Sequence, residues 1–333
     1  MSVSLELVSP AGALPALKAA VDNGADWVYF GLRDNTNARN FPGLNFDENS
    51  ARDGIRYARN AGARTLLAIN TFPQPDASSR WHRAIDAAAD LGVDAVILAD
   101  PGLMGYAVRR HPELALHLSV QGSATNHEAI NFFREQFGIR RAVLPRVLSI
   151  AQVEQVIRNT QVEIEVFGFG SLCVMVEGRC ILSSYATGQS PNTFGACSPA
   201  SAVRWEPAGE NMNVRLNGVL IDQFGRDENA GYPTICKGRY NVSGETYYAI
   251  EEPSGLNAIE LLPQLAAMGV AAIKIEGRQR SPAYVAQVTR VWRDAIDACR
   301  AGRFSVKPQW ASALEKITEG TQHTLGAYNR KWK

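Results

Sequence analysis

Four of the five cysteines in the chain, Cys173, Cys180, Cys197 and Cys236, follow the spacing C-x6-C-x16-C-x38-C. A thiolate can ligate a metal, attack an electrophile or enter a disulfide, and four thiolates together can hold zinc or an iron–sulfur cluster. Ligand type alone does not separate those two metals. Structural zinc favours close C-x2-4-C knuckles, because a tight turn aims two sulfurs at one small ion. No such knuckle occurs here. Wide, irregular spacing suits a bulkier cluster whose irons each take one thiolate from a different loop. Four buried free thiols are the plain alternative. Cys299, in VWRDAIDACRAG before Gly302, reads as an ordinary thiol near the end of a helix.

A second group of reactive side chains falls where strands are expected to end: Asn70, Asp100, Gln121, Arg146, and the Lys274, Glu276, Arg278 series of KIEGR. Residues two apart on a strand point the same way, so Lys274 and Glu276 are expected to face one interior. Buried charge must be paired or recruited for function. One reading is that Lys274 and Glu276 neutralise each other in an inner layer. Arg39, Arg146 and Arg278 together present planar forks that suit a carboxylated anion. Asn35, Asn37 and Asn40, in the same DNTNARNF stretch as Arg39, are expected to turn or cap the backbone.

Proteolysis finds no support in the residues. There is no H-E-x-x-H and no G-x-S-x-G, and the five histidines (His82, His111, His117, His127, His323) are scattered. A cysteine bound to iron is also not a free nucleophile.

The elements that must position these groups show as a recurring phrase. NGADWVYFG (23–31), AGARTLLAIN (61–70), LGVDAVILAD (91–100), FGIRRAVLPR (137–146) and MGVAAIKIEG (268–277) each place a glycine before a short β-prone run. Gly24, Gly62, Gly92, Gly138 and Gly269 suit the left-handed position that ends a helix. The runs after them are continuously apolar, as in strands of a parallel sheet buried on both faces. In PAGALPALKAAVDNG, Leu14, Leu17 and Val21 share one helical face. Further strands are expected at LELVSP, ALHLSVQ and VEIEVFGFG, which makes eight strands alternating with helices, a (β/α)8 TIM-like barrel. An open doubly wound sheet is disfavoured by the evenness of the repeat and by the lack of a G-x-G-x-x-G after any strand. Residues 1–170 form the first part of the barrel. Residues 171–253 break the rhythm and read as a cysteine-rich insertion between strands 7 and 8, with NVSG as a hairpin turn. Residues 254–333 complete the barrel and add a C-terminal tail, all within one structural domain.

With 333 residues, 46% hydrophobic and 20% charged, the chain has an ordinary globular composition. No run approaches the roughly 20 apolar residues of a membrane helix. MSVSLELVSP lacks the basic and apolar regions of a secretory signal, so a cytoplasmic, reducing location is expected, where clustered cysteines bind metal. A net charge of +1 makes no electrostatic case for nucleic acid.

The stretch Glu165-Val-Phe167-Gly-Phe-Gly170-Ser171-Leu172-Cys173, followed by Gly178-Arg-Cys180-Ile-Leu182-Ser183, resembles the signature of the U32 "collagenase-like peptidase" family. SVQGSATN, SPNTFGACSPA, GYPTICKGRY, KIEGRQRSPAYV and EGTQHTLGAYNRKWK resemble the branch of that family that serves ubiquinone biosynthesis, from the first strand to the last residue. The resemblance implies a [4Fe-4S] cluster on Cys173, Cys180, Cys197 and Cys236. It also implies a heterodimer with a sister protein, UbiV, and oxygen-independent hydroxylation of the ubiquinone ring, with a lipid-carrier protein delivering the precursor. RNA-modifying members read Cys-x-x-x-Cys-Arg near the third ligand, where this chain reads Cys197-Ser-Pro-Ala-Ser, which moves weight away from an RNA substrate. Their oxygen donor is prephenate, a dicarboxylate, and an anion-binding barrel mouth built on Arg39, Asn70, Gln121, Arg146, Lys274, Glu276 and Arg278 would suit such a donor. An RNA hydroxylase and a non-catalytic cluster-bearing scaffold remain as alternatives.

Overall fold

In a computed structural model the chain is described over residues 5–173, 175, 180–191, 196–228, 230–318 and 322–330. Gly178 and Arg179 of the signature, residues 192–195 of SPNTFGACSPA, and residues 319–321 and 331–333 of the C-terminal motif lie outside the described residues.

Seven parallel strands come first: β1 (Glu6–Pro10), β2 (Trp27–Phe30), β3 (Arg64–Ile69), β4 (Ala95–Leu98), β5 (Ala115–Leu118), β6 (Arg141–Val143) and β7 (Glu163–Ser171). Six helices alternate with them: α1 (Leu14–Asp22), α2 (Glu48–Asn60), α3 (Ser78–Leu91), α4 (Pro101–Arg110), α5 (His127–Phe137) and α6 (Ile150–Arg158). The chain then forms α7 (Ile181–Thr187) and a three-stranded antiparallel sheet of β8 (Val203–Ala208), β9 (Asn211–Leu216) and β10 (Val219–Phe224). The hairpin β11 (Tyr240–Val242) and β12 (Glu245–Tyr247) follows, turning at Ser243 and Gly244, both left-handed, as the NVSG stretch predicts. Next, β13 (Ser254–Asn257) lies antiparallel on the outer end of β7, and α8 (Leu262–Ala267) leads into β14 (Ala272–Ile275). Because β14 pairs in parallel with both β7 and β1, the eight-stranded sheet closes. The fold is a (β/α)8 barrel. Helices α9 (Pro282–Arg300) and α10 (Pro308–Glu315) complete the outer ring, and β15 (Gln322–Thr324) extends the edge formed by β13.

Local chemistry explains this regularity. The five phrase glycines have φ between +65° and +92°, so each ends its helix and redirects the chain into a strand without the Cβ penalty of that region. Outward strand residues such as Leu7, Phe30, Leu67 and Leu98 pack on Leu17, Ile55, Ile85 and Trp292 of the helices. Each fully buried side chain of that size contributes about 1.5–3 kcal/mol. Inward residues of the first four strands, with Ala272, form a separate apolar cluster inside the barrel. No helix among the described residues is long and apolar enough to cross a membrane.

Candidate active site at the barrel mouth

An open cleft lies at the C-terminal ends of the barrel strands. Arg39, Asn70, Gln121, Arg146, Lys274, Glu276 and Arg278 all line it, and Tyr29, Ile97, Val143 and Phe167 supply apolar and aromatic wall. Asp100 serves elsewhere. Its Oδ1 accepts from the Leu103 amide at 2.9 Å and caps α4.

The charged groups pair differently from the reading in which Lys274 and Glu276 neutralise each other. Lys274 Nζ donates to Glu165 Oε1 at 2.6 Å, while Glu276 receives Arg146 and, at 3.5 Å, Arg39. Residues two apart on a strand are separated by about 6.6 Å along it, so they occupy successive layers of the barrel. Each charge finds its partner on another element, Lys274 reaching back to Glu165, which lies opposite Ala272.

Arg146 Nη1 also donates to the Ser171 carbonyl at 2.8 Å, and its guanidinium lies 4.3 Å from the Phe167 ring centroid. Burial works to raise the Glu276 carboxyl, but the guanidiniums of Arg146 and Arg39 outweigh it and hold the group below the usual carboxylate range. Gly170, inside the signature, is what permits this arrangement. A Cβ there would stand 2.5 Å from Glu276 Cβ, and its φ of +131° disfavours any side chain.

Asn37 holds the loop after β2. Its Oδ1 accepts from Arg278 Nη1 at 2.6 Å and from the Arg39 amide at 3.0 Å, and its Nδ2 donates to the Leu32 carbonyl and to Asn45. The expected turn role is therefore joined by a second one, fixing Arg278. That guanidinium is 5% exposed, lies 5.6 Å from the Tyr29 ring centroid, and is pushed down to about 10 by burial. Asn70 accepts from the Ala38 amide at 3.2 Å and donates to Ser119 at 3.4 Å, which ties the loops after β2 and β5 together. Tyr29, Phe167 and Glu165 carry no functional expectation from the sequence. The available signal was the period of two along β7, which puts Glu165 and Phe167 on one inner face.

None of the four clustered cysteines is in a disulfide, and all four are of intermediate exposure. Cys180 caps α7, its sulfur accepting from the Ser183 amide at 3.5 Å, and Cys173 Sγ lies 3.8 Å from the Met175 carbonyl. Cys236 sits in a short turn of helix, Ile235–Lys237. Tyr232 joins that loop to the Cys197 segment by donating to the Ser198 carbonyl at 2.9 Å. Arg239 anchors the same loop to the small sheet through Asp222 at 2.7 Å and Glu228 at 3.0 Å. Burial pushes the Cys236 thiol up to about 11, and Cys197 and Cys180 push in the same direction. Burial also raises Cys197, with Arg39 opposing and Cys180 and Glu276 adding to it. Three of the thiols thus feel one another, and Cys197 feels the charges of the cleft. Among the described residues no trio of His, Cys, Asp or Glu is gathered around the position of a single metal ion. The donor set, four thiols carried on three loops with an amide hydrogen bond to one sulfur, fits an iron–sulfur cluster.

The histidines are dispersed. His117 is buried in the barrel against Trp27, His111 pairs with Asp86, His82 stacks on Tyr106, and His323 lies on β15.

These features define a (β/α)8-barrel protein with cysteine-bearing loops beside a charged mouth. Residues 12–331 match the model of peptidase family U32, and the chain belongs to that family. It is 34% identical over 340 residues to tRNA hydroxylation protein P of Escherichia coli strain K12, covering 96% of this chain and 72% of that protein. It is 31% identical over 318 residues to tRNA hydroxylation protein P1 of Bacillus subtilis strain 168, covering 93% of this chain and 68% of that one. A solved U32 peptidase is similar at a TM-score of 0.43 and 16% identity, over 50% of this chain and 70% of the other.

Proposed function

We propose that the chain is the iron–sulfur subunit of an oxygen-independent hydroxylase of ubiquinone precursors, a role like that of UbiU, in which it pairs with UbiV. The observation that carries this reading is the proximity of the cysteine-bearing loops to the polar cleft: Arg146, which lines the cleft, donates to the carbonyl of Ser171, two residues before Cys173, at 2.8 Å. In this reading residues 171–253 are a cluster-binding insertion, and Cys173, Cys180, Cys197 and Cys236 hold a [4Fe-4S] cluster. When bound, such a cluster supplies electron transfer or a Lewis-acidic iron. The chain's own residues do the rest. Arg278, steadied by Asn37, and Lys274, steadied by Glu165, present positive charge to an anionic small molecule. Tyr29 and Phe167 offer flat apolar surface to a ring. The Arg146–Glu276 pair shapes the rim beneath the loops. Prephenate is the oxygen donor that this charge pattern suits, and a lipid-carrier protein would deliver the precursor to an enzyme in the cytoplasm.

A second reading, a tRNA hydroxylase, is favoured by the names of the two relatives. One experiment separates the readings. A strain deleted for this chain is grown without oxygen, and both ubiquinone intermediates and tRNA nucleosides are measured by mass spectrometry. Accumulation of an under-hydroxylated quinone precursor with unchanged tRNA supports the first reading. Loss of a hydroxylated nucleoside with normal ubiquinone overturns it in favour of the second. Anaerobic copurification with UbiV as a one-to-one complex tests the partnership, and a fully active monomer would contradict it.

A further inference from the structure

Barrel interiors are usually filled by branched apolar side chains, and the inner face of β1 to β4 largely follows that rule with Val8, Leu66, Ala68, Ala95 and Ile97. The other half does not. His117, Arg141, Glu165 and Lys274 project from β5, β6, β7 and β14, each 5% exposed or less. Three of them form a connected column. Lys274 Nζ donates to Glu165 Oε1 at 2.6 Å, and Glu165 Oε2 faces Arg141 Nη1 at 3.6 Å. Arg141 Nη2 then reaches Glu6 and Glu163, each at 2.6 Å. At the upper end Lys274 lines the cleft, with its ammonium 4.0 Å from the Tyr29 ring centroid. At the lower end the Glu163 side chain is 55% exposed. Ionised groups therefore cross the barrel from the cleft to the opposite rim.

A buried ion pair seldom stabilises a fold more than apolar packing of the same volume would, so this column calls for a role. We infer that Glu165 is a positioning residue: held from below by Arg141, it fixes the Lys274 ammonium beneath the cleft, where that ammonium meets an anionic group of the bound small molecule. Glu165 has no exposed surface, so it acts only through Lys274. The inference rests on the reading of the cleft as an anion site, and neither hydroxylation nor a cluster enters it.

The charged and titratable groups around Lys274 are Glu165 from β7, Arg141 from β6, His117 from β5, Tyr29 from β2, and Arg278 and Glu276 at the cleft. Burial lowers the Lys274 pKa, Glu165 raises it, and Arg278 and Arg141 lower it. Removing the Glu165 charge therefore lets the ammonium deprotonate at a lower pH.

The test is calorimetric binding of benzoate, a flat carboxylate, to the full chain from about pH 6.5 up to about pH 10.4, the ordinary lysine value, a range in which benzoate stays ionised. In Glu165→Gln, binding at the acidic end should stay within roughly threefold of wild type. It should then be lost as pH rises, with a midpoint below that of wild type. A merely structural role would weaken binding equally at every pH, and equal midpoints in the two proteins would overturn the inference. Should Glu165→Gln fail to fold, Glu165→Met combined with Lys274→Met leaves no stranded charge and should bind benzoate roughly tenfold more weakly than wild type, with no loss that tracks lysine titration. Wild-type affinity in that double variant would also overturn it. Failure of the wild-type chain to bind benzoate would remove the anion site and the inference together, and would leave the hydroxylation reading to its own assay.

Discussion

Arg146 and Glu276 form an ion pair at the barrel mouth, with side chains only 3% and 13% exposed, although they lie on loops that follow different strands. The same guanidinium donates to the Ser171 carbonyl, two residues before Cys173. One side chain therefore links the end of β6, the residue after β14 and the entry to the cysteine-bearing loops.

Arg146→Lys keeps the charge but loses the planar fork that serves Glu276 and Ser171 together, and it loses the stack on Phe167. Activity is expected to fall roughly tenfold while the iron content stays at the wild-type level. Arg146→Ala removes a main partner of Glu276 and should cost about 3 kcal/mol, because an uncompensated buried charge remains. Thermal denaturation and iron analysis of the two variants side by side check this. Wild-type activity in Arg146→Lys would remove the residue from the site.

Gly170→Ala should damage the cleft from outside it. The new methyl group meets Glu276 Cβ at 2.5 Å, and a φ of +131° adds strain of about 1–3 kcal/mol. A lowered melting temperature together with weaker binding at the cleft is the expected result. A variant matching wild type in both would show that Glu276 can move aside freely.

The four clustered cysteines and Cys299 should separate cleanly. Anaerobically prepared protein is expected to be brown and to carry about four irons with acid-labile sulfide on the four-thiolate set. Stoichiometric zinc without sulfide would contradict the cluster. Cys197→Ala should lose most of the iron, since one iron would face solvent or a weaker ligand. Cys299→Ala, on α9 away from the loops, should keep it. Equal iron loss in the two variants would sink the ligand assignment.

His117 makes stability depend on pH in a definite direction. Burial, reinforced by the charges of Arg141 and Lys274, holds its pKa well below 6.5, so the folded chain keeps it neutral. The unfolded chain takes up the proton near pH 6.5. The stabilising difference is thus complete above about pH 6.5 and lost as pH falls below it, by about 1.4 kcal/mol per pH unit. Carboxylates held low, such as Glu6 and Asp86, act only in more acidic solution. Between about pH 6.5 and about pH 5, His117→Gln should lose melting temperature less steeply than wild type. Parallel slopes would show that His117 is protonated in the folded chain.

What could be read from residue order alone was whatever local rules control. A glycine that ends a helix, an apolar run that follows it, and a turn at Ser243 and Gly244 need no distant partner, so the eightfold repeat was legible before any contact was known. The same rules placed Asn70, Gln121, Arg146, Lys274, Glu276 and Arg278 at or just beyond strand ends, and a closed parallel barrel brings all such ends to one rim. The partners of those charges were decided only in three dimensions. Lys274 meets Glu165, 109 positions away, because closure sets β14 beside β7 in a register that opposes Lys274 to Phe167. Glu276, one layer higher, meets arginines from the loops after β2 and β6. Asp100 turned back to cap its own helix, since an N-cap is satisfied three residues away and asks nothing of the barrel. Ion pairing in a barrel follows layer and stagger, and neither exists until the sheet has closed.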